Sequence, residues 1–221
     1  MDRFSWRSYD VTTLLPMGWA QDALRVAELA VARTLRPRSV TSREGNPDLR
    51  IDTLTVNGIV LRSELPWVHA LYAGLFREFG QSCAGEALAC ADNDLFGAVL
   101  GVQRGSKMRY EAHVDSNPLE GLLYVTSHPS GAGGELIVAN DCNAKSVAEI
   151  EADCSTVFPM AGHLLFFDAR RFPHYVRPLV DPNGTRVVVA MNYYTASCPE
   201  SSRPADLTSH LFGEQTLAGQ E

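Results

Sequence analysis

The sequence predicts a mainly β fold with flanking helices, and three observations lead to that prediction. After about residue 95, short runs rich in Val, Leu, Phe and Tyr alternate with turn residues, which is typical of strands. These runs are not separated by the helices that a parallel α/β sheet requires. Two helical patterns precede them. A sandwich, a barrel or a jelly roll therefore accounts for the strand-rich half.

Two amphipathic helices are expected in the N-terminal part, which covers about residues 1–94. Residues 19–35 place apolar side chains along one helical face, and Pro37 follows them. Residues 66–79 carry a second apolar stripe. Each stripe needs an apolar partner, so we expect both helices to pack on the strand-rich half.

Seven strands are expected in a β core over about residues 95–197. The connection at residues 131–134 is Gly-rich, and Asp-Pro-Asn-Gly at 181–184 carries the Asn-Gly signal of a tight hairpin. Residues 198–221 are expected to form a tail, so residues 1–221 are predicted to be a single domain. The predicted strands cover residues 98–103, 107–113, 121–127, 135–139, 162–168, 175–180 and 186–195.

The composition excludes several classes of protein. The 221 residues are 45% hydrophobic, and their 19 Lys and Arg against 26 Asp and Glu give a net charge of −7, which disfavours nucleic-acid binding. Apolar runs are too short to cross a bilayer, and no secretory signal is recognisable at the N-terminus, so we expect a cytoplasmic protein. The five cysteines form no CxxC pair, which disfavours disulfides and thiolate zinc sites.

A candidate metal site begins with His113 and Asp115, two residues apart at the end of a predicted strand. Side chains at this spacing point to the same face, so one ion could contact both. His174 enters a later predicted strand and can supply a third ligand. Two histidines and one carboxylate form the facial triad that binds non-haem Fe(II) and leaves coordination positions open.

Arg186 gives this weak pattern a second component, because a His-x-Asp pair alone is more often structural than metal-binding. Arg186 stands at the head of the apolar run 187–191 and has no acidic neighbour on its own strand. A buried arginine is costly unless it pairs with an anion, and a bidentate carboxylate would satisfy it.

With these residues in place, the segments HVD, GGELIV, GHLLFFDARRFPHYVRPLV and GTRVVVAMNYY resemble the Fe(II)/2-oxoglutarate-dependent oxygenases of the prolyl-hydroxylase-like branch, over about residues 109–194. The resemblance implies a double-stranded β-helix, a cupin-like jelly roll. It implies that His113, Asp115 and His174 hold Fe(II) and that Arg186 binds the distal carboxylate of 2-oxoglutarate. It also implies O2 as a cosubstrate and ascorbate as a stimulant.

One position departs from the family pattern, since Val188 stands where many members have Ser or Thr. We therefore expect the second anchor for 2-oxoglutarate to be Tyr124. Side chains alternate between the two faces of a strand, so Asn192 and Tyr194 lie on the same face of the last predicted strand as Arg186. Both are therefore candidates for substrate binding. Arg109 lies on the same strand face as His113, because the two are four residues apart, and it is a third candidate for substrate binding.

The finer resemblance is to bacterial hydroxylases of free amino acids, a group that includes radical halogenases. Because Asp115 keeps the ligand carboxylate that halogenases lack, we expect hydroxylation of an unactivated C–H of a small substrate, a free amino acid in a biosynthetic pathway. The alternatives are a peptidyl-prolyl-type hydroxylase acting on a protein or peptide, a cupin-type metal protein that does not use 2-oxoglutarate, and a non-enzymatic binding module. The sequence indicates no oligomeric state.

Overall fold

The computed structural model of the protein describes residues 6–38 and 40–213, which fold into two antiparallel sheets packed face to face. The twelve strands are β1 Trp6–Asp10, β2 Val31–Leu35, β3 Ile51–Val56, β4 Leu88–Cys90, β5 Ala98–Arg104, β6 Tyr110–His113, β7 Leu119–Tyr124, β8 Leu136–Ala139, β9 Cys154–Val157, β10 His163–Phe167, β11 His174–Val176 and β12 Thr185–Thr195. The helices are α1 Trp19–Ala27, α2 Gly58–Glu64, α3 Pro66–Ala73, α4 Leu75–Ala84, α5 Asp94–Gly97, α6 Val147–Ala152 and α7 Leu207–Phe212.

The larger sheet has eight strands in the order β1-β10-β7-β12-β5-β3-β2, with β4 paired to the end of β12. The smaller sheet has four strands in the order β6-β11-β8-β9. Strand β12 is eleven residues long and pairs with β7 on one side and β5 on the other. It is therefore the central strand that connects the two edges of the larger sheet.

The side chains of β12 alternate between two environments. Val187, Val189, Met191 and Tyr193 are buried in the main core with the N-terminal helices. The residues of opposite parity line a cavity between the two sheets, and they are Arg186, Val188, Ala190, Asn192 and Tyr194. The period-two prediction for this strand is confirmed, and the alternation separates the stabilising face from the cavity face.

The main core lies between the larger sheet and helices α1, α3 and α4. Val26, Val68 and Phe76 project into it from these helices, and Phe166 meets them from β10. Full burial of one such side chain stabilises the fold by about 1.5–3 kcal/mol. The helical layer thus packs on the face of the larger sheet that is turned away from the cavity.

The predicted helix at residues 19–35 is wrong in its second half. Helix α1 ends at Ala27, and Val31–Leu35 forms β2, which pairs with β3. The β-branched Val31 and Thr34 suit a strand, and pairing with a neighbouring strand outweighs the helical periodicity. The predicted helix at 66–79 is interrupted at Gly74, whose backbone conformation is not helical.

Each of the seven predicted strands overlaps an observed strand, and the prediction of a mainly β jelly-roll fold is confirmed. Sequence reasoning missed five strands, β1 to β4 and β9, so the N-terminal part contributes strands as well as helices. Most of these are short or exposed, and their patterns give no clear alternation. The predicted tail contains α7. In the described residues, no helix combines the length and apolarity needed to cross a membrane.

Candidate metal centre and its cavity

The cavity between the two sheets has a volume of about 250 Å³. Its walls come from β5, β7 and β12 of the larger sheet and from β6 and β11 of the smaller sheet. Residues that follow β2 and residues of α7 complete its rim. This volume lies just below the range of about 300–1,000 Å³ that is usual for small-molecule sites.

Strand pairing brings the predicted metal ligands together. In the antiparallel register of β6 and β11, His113 lies directly opposite His174, and the centroids of the two imidazole rings are 4.4 Å apart. Asp115 follows the end of β6, where its carboxylate is 3.1 Å from His113 Nε2 and 3.6 Å from His174 Nε2. One candidate ligand atom from each residue lies within 4.8 Å of the others.

Both histidines are held by their second ring nitrogen. His113 Nδ1 is 2.7 Å from the carbonyl oxygen of Glu111, and His174 Nδ1 is 3.0 Å from that of Phe172. A carbonyl oxygen only accepts hydrogen bonds, so each Nδ1 carries a proton, and the Nε2 atoms of both rings are the ones turned toward Asp115. Metal-binding histidines are oriented in this way.

The electrostatics of the cluster suit a cation. Burial lowers the pKa of His174 to about 4, and neighbouring His113 acts in the same direction, so His174 is neutral at pH 7. Burial alone raises the pKa of Asp115, but the two histidines outweigh it and the net pKa is lowered. Asp115 is therefore ionised. The cluster provides one anionic and two imidazole ligands.

Residues 41–44 run beside β6 and support His113. Glu44 accepts two hydrogen bonds from Arg109, of 2.6 and 2.7 Å, and a third from the backbone amide of Ala112. Burial alone raises the pKa of Glu44, but these hydrogen bonds outweigh it and the net pKa is lowered. Arg109 thus lines the cavity with its guanidinium engaged by Glu44, and its role as a substrate contact stays a prediction.

Arg186 and Tyr124 form a second polar group in the same cavity. Val188 pairs with Tyr124, which places Arg186 diagonally across from that ring, and its guanidinium lies 5.5 Å from the ring centroid. Arg186 is 5% exposed. Among the described residues it has no ion-pair partner, and neither its Nε nor the Tyr124 hydroxyl has a hydrogen-bond partner.

The surroundings of Arg186 combine burial with a close approach of the backbone. Burial lowers the pKa of Arg186, although nearby Tyr124 opposes that shift. Gly134 has a φ of 78°, and a Cβ built there would lie 3.1 Å from Cδ of Arg186, so the Gly-rich connection allows the backbone to pass close to this side chain. The two orphaned polar atoms are the kind of group that a carboxylate satisfies.

Asn192 and Tyr194 line the cavity near the other end of β12. The Asn192 side chain donates a 2.6 Å hydrogen bond to the carbonyl oxygen of Phe96, which fixes its amide. Tyr194 is 2% exposed, and burial raises its pKa. Arg203 lowers this pKa and Asp115 raises it further. Substrate contact by either residue stays a prediction.

Sequence reasoning missed other polar residues of the cavity. Glu120 has the same parity as Tyr124 on β7, so the period-two argument could have found it. Burial raises its pKa well above the usual value, and the adjacent charge of Asp115 acts in the same direction. Arg38 and Arg203 also line the cavity. Both lie outside regular elements, so no sequence signal pointed to them.

Comparisons with known proteins identify the fold. No family model and no curated protein matches the sequence. Solved structures do match, at low sequence identity. SnoN, an α-ketoglutarate-dependent non-haem epimerase of nogalamycin biosynthesis, is 17% identical over 88% of this chain and 79% of its own, with a TM-score of 0.61. The protein has the 2-oxoglutarate/Fe(II) oxygenase fold.

Two further structures with this fold show its range. A prolyl hydroxylase of Trichoplax adhaerens in complex with a hypoxia inducible factor peptide is 16% identical over 90% of this chain and 86% of its own, with a TM-score of 0.59. HygX of Streptomyces hygroscopicus is 12% identical over 88% and 84%, with a TM-score of 0.58. The resemblance predicted from the sequence motifs is confirmed at the level of the fold.

Proposed function

We propose that the protein is an Fe(II)- and 2-oxoglutarate-dependent oxygenase. One observation carries this proposal: a convergent His113, Asp115 and His174 cluster shares a cavity with the buried Arg186, which has no ion-pair partner among the described residues. A structural metal would account for the cluster alone. The arginine needs a second ligand, and that ligand is an anion.

The residues present fit the metal and the cosubstrate. His113, Asp115 and His174 would hold the ion and leave the remaining positions to other ligands. When bound, Fe(II) with 2-oxoglutarate and O2 supplies the oxidation of an unreactive C–H bond. Arg186 would donate to the distal carboxylate of 2-oxoglutarate, with Tyr124 donating from its hydroxyl. HygX was solved with nickel, 2-oxoglutarate and hygromycin B bound.

The apolar walls keep bulk water away from these groups. Leu122, Leu136 and Val188 are buried and line the same cavity. In such surroundings the charge of Arg186 acts at a low effective dielectric constant, which strengthens its attraction for a carboxylate. The same walls keep the substrate's reacting carbon in a site from which bulk water is excluded.

We further propose hydroxylation of a small substrate, a free amino acid. The cavity volume of about 250 Å³ suits a small molecule better than a peptide segment. Asn192 and Tyr194 offer polar groups along the cavity face of β12, which suits an amine-bearing acid. The fold itself does not select the reaction, because SnoN is an epimerase and the Trichoplax protein is a hydroxylase.

The experiment is an anaerobic titration of the protein with Fe(II) and then 2-oxoglutarate, followed by oxygen consumption with free amino acids and with peptides. We expect one bound iron, a visible charge-transfer absorption on adding 2-oxoglutarate, and succinate formation that a free amino acid stimulates. Absence of 2-oxoglutarate binding would refute the oxygenase proposal. Stimulation by peptides alone would refute the choice of substrate and favour a peptidyl hydroxylase.

A further inference from the structure

We propose that Arg38 and Arg203 form an anion subsite at the cavity rim that binds the carboxylate of the substrate. Arg38 follows β2, and Arg203 lies between β12 and α7, so two distant segments of the chain meet at this point. The inference rests on the proposed function and deepens it. We call Arg38 and Arg203 the rim pair.

Arg38 has donors that the protein does not use. Its side chain is 19% exposed, and its Nη2 donates a 2.8 Å hydrogen bond to Asp206. Its Nη1 is buried and has no hydrogen-bond partner. A guanidinium presents its donors as a rigid fork, so one acidic partner on one nitrogen leaves the geometry for a second oxygen-bearing ligand in place.

Arg203 is held firmly in position. Its guanidinium lies over the ring of Phe96 at 3.6 Å from the centroid, and its Nη1 donates a 2.6 Å hydrogen bond to Thr208 of α7. Stacking on an aromatic ring and one hydrogen bond fix the plane of the guanidinium before any ligand arrives. A preorganised arginine loses little conformational freedom on binding an anion.

The charges around the rim pair favour a monoanion. Asp206 pairs with Arg38, and Glu200 lies near Arg203, where it also accepts a 2.5 Å hydrogen bond from the Asp92 amide. Asp206 is 71% exposed, so water screens its charge, whereas the two guanidiniums face the cavity. His210, also at the rim, has its pKa lowered by burial and by Arg38, so it adds little charge. A carboxylate fits this site better than a phosphate dianion, because Asp206 and Glu200 offset much of the charge of the two guanidiniums.

The position of the rim pair suits a substrate and not 2-oxoglutarate. Tyr194, Arg203 and Asp115 line the same cavity, so the rim pair and the metal cluster share one space. Arg186 is eight residues from Tyr194 on β12, which is about 26 Å of extended strand. The rim pair is therefore a separate anion site, and an acid held there extends its other carbons toward the metal ligands.

The test uses the protein loaded with Zn(II), which cannot turn over, in saturating 2-oxoglutarate. The probes are the standard free amino acids, each paired with its α-carboxamide, and binding is measured by calorimetry. We expect at least one acid to bind and its amide to bind at least about thirty-fold more weakly, since a buried charge-assisted contact is lost. Arg38→Met and Arg203→Met should each weaken that acid about ten-fold or more and leave 2-oxoglutarate affinity unchanged.

Asp206→Asn is the matched control, because it breaks the Arg38 ion pair and keeps both guanidiniums. Acid affinity should be retained or rise in this variant. Any of three results would overturn the subsite. The first is equal binding of an acid and its amide, and the second is no binding of any free acid by a protein that binds 2-oxoglutarate. The third is unchanged acid affinity in both Met variants. A fall in Asp206→Asn equal to that in Arg38→Met would show a purely structural ion pair. Failure of the oxygenase proposal is distinct, since it appears as absent 2-oxoglutarate binding.

Discussion

Replacing Arg186 with Met is expected to separate stability from ligand binding. The arginine is buried and has no ion-pair partner among the described residues, so in the unliganded protein the nearby Tyr124 side chain offsets only part of the cost of desolvating its charge. Met has a similar length and no charge to desolvate. We therefore expect Arg186→Met to unfold at the same or a higher temperature than the native protein when 2-oxoglutarate is absent.

The loss of binding can be given a magnitude. Removing one partner of a buried charge pair costs about 2–5 kcal/mol, so the affinity for 2-oxoglutarate should fall by roughly thirty-fold or more. At a ligand concentration one hundred times the native dissociation constant, binding stabilises the native protein by about 2.7 kcal/mol. A thirty-fold weaker site gains only about 0.9 kcal/mol under the same conditions.

The assay is thermal unfolding with and without 2-oxoglutarate in the presence of Zn(II). For a chain of this size the native shift should be about 5–11 °C, and the variant shift about 2–4 °C or less. Arg104→Met is the matched control, because Arg104 is exposed on neighbouring β5 and pairs only with Glu28 among its described ion pairs. Equal ligand-induced shifts in the native protein and in Arg186→Met would refute the assignment of Arg186.

Three further outcomes are expected. His174→Ala should abolish stoichiometric Fe(II) binding, measured by metal analysis after desalting, and full retention of iron would place the metal elsewhere. Glu44→Gln should lower the free energy of unfolding by about 1–3 kcal/mol at pH 7. The pKa of Glu44 is lowered in the folded state, so its stabilising contribution is present above its unfolded pKa and is lost as the pH falls below about 4.3. Urea unfolding curves of the native protein and of Glu44→Gln should therefore converge in acid. A gap between the two curves that stays constant with pH would contradict this. Gly133→Ala should destabilise the protein more than Gly131→Ala, because both glycines have positive φ but only a Cβ at Gly133 meets backbone, 2.2 Å from Pro178 O. Equal unfolding midpoints for the two variants would show that this clash is relieved without cost.

The convergence of His113, Asp115 and His174 could be predicted because its signals are local and chemical. His113 and Asp115 share a strand-end spacing, and an arginine at the head of a buried apolar run is costly unless it pairs with an anion. Period two then assigned the cavity face of β12 correctly, since a strand buried on both sides must alternate strictly. These inferences need no knowledge of which strands are neighbours.

The parts that escaped prediction depend on pairing between distant segments. Residues 31–35 carry a helical pattern and form β2 only because β3 lies beside them. Glu44 reaches Arg109 because residues 41–44 run along β6. Arg38 and Arg203 come to the cavity rim because the segment after β2 contacts the segment before α7, where Arg38 pairs with Asp206. Long-range contacts of this kind leave no periodic trace in the sequence.

The register between β6 and β11 makes the smaller sheet a candidate reporter of metal occupancy. These strands have four and three residues, so few backbone hydrogen bonds hold them, whereas β12 has eleven residues that pair with β7 and β5. An ion held by His113 and His174 would crosslink the two short strands through their side chains. Amide hydrogen exchange in β6 and β11 would then slow on loading while exchange in β12 still follows global unfolding, so the two sheets would report two different free energies.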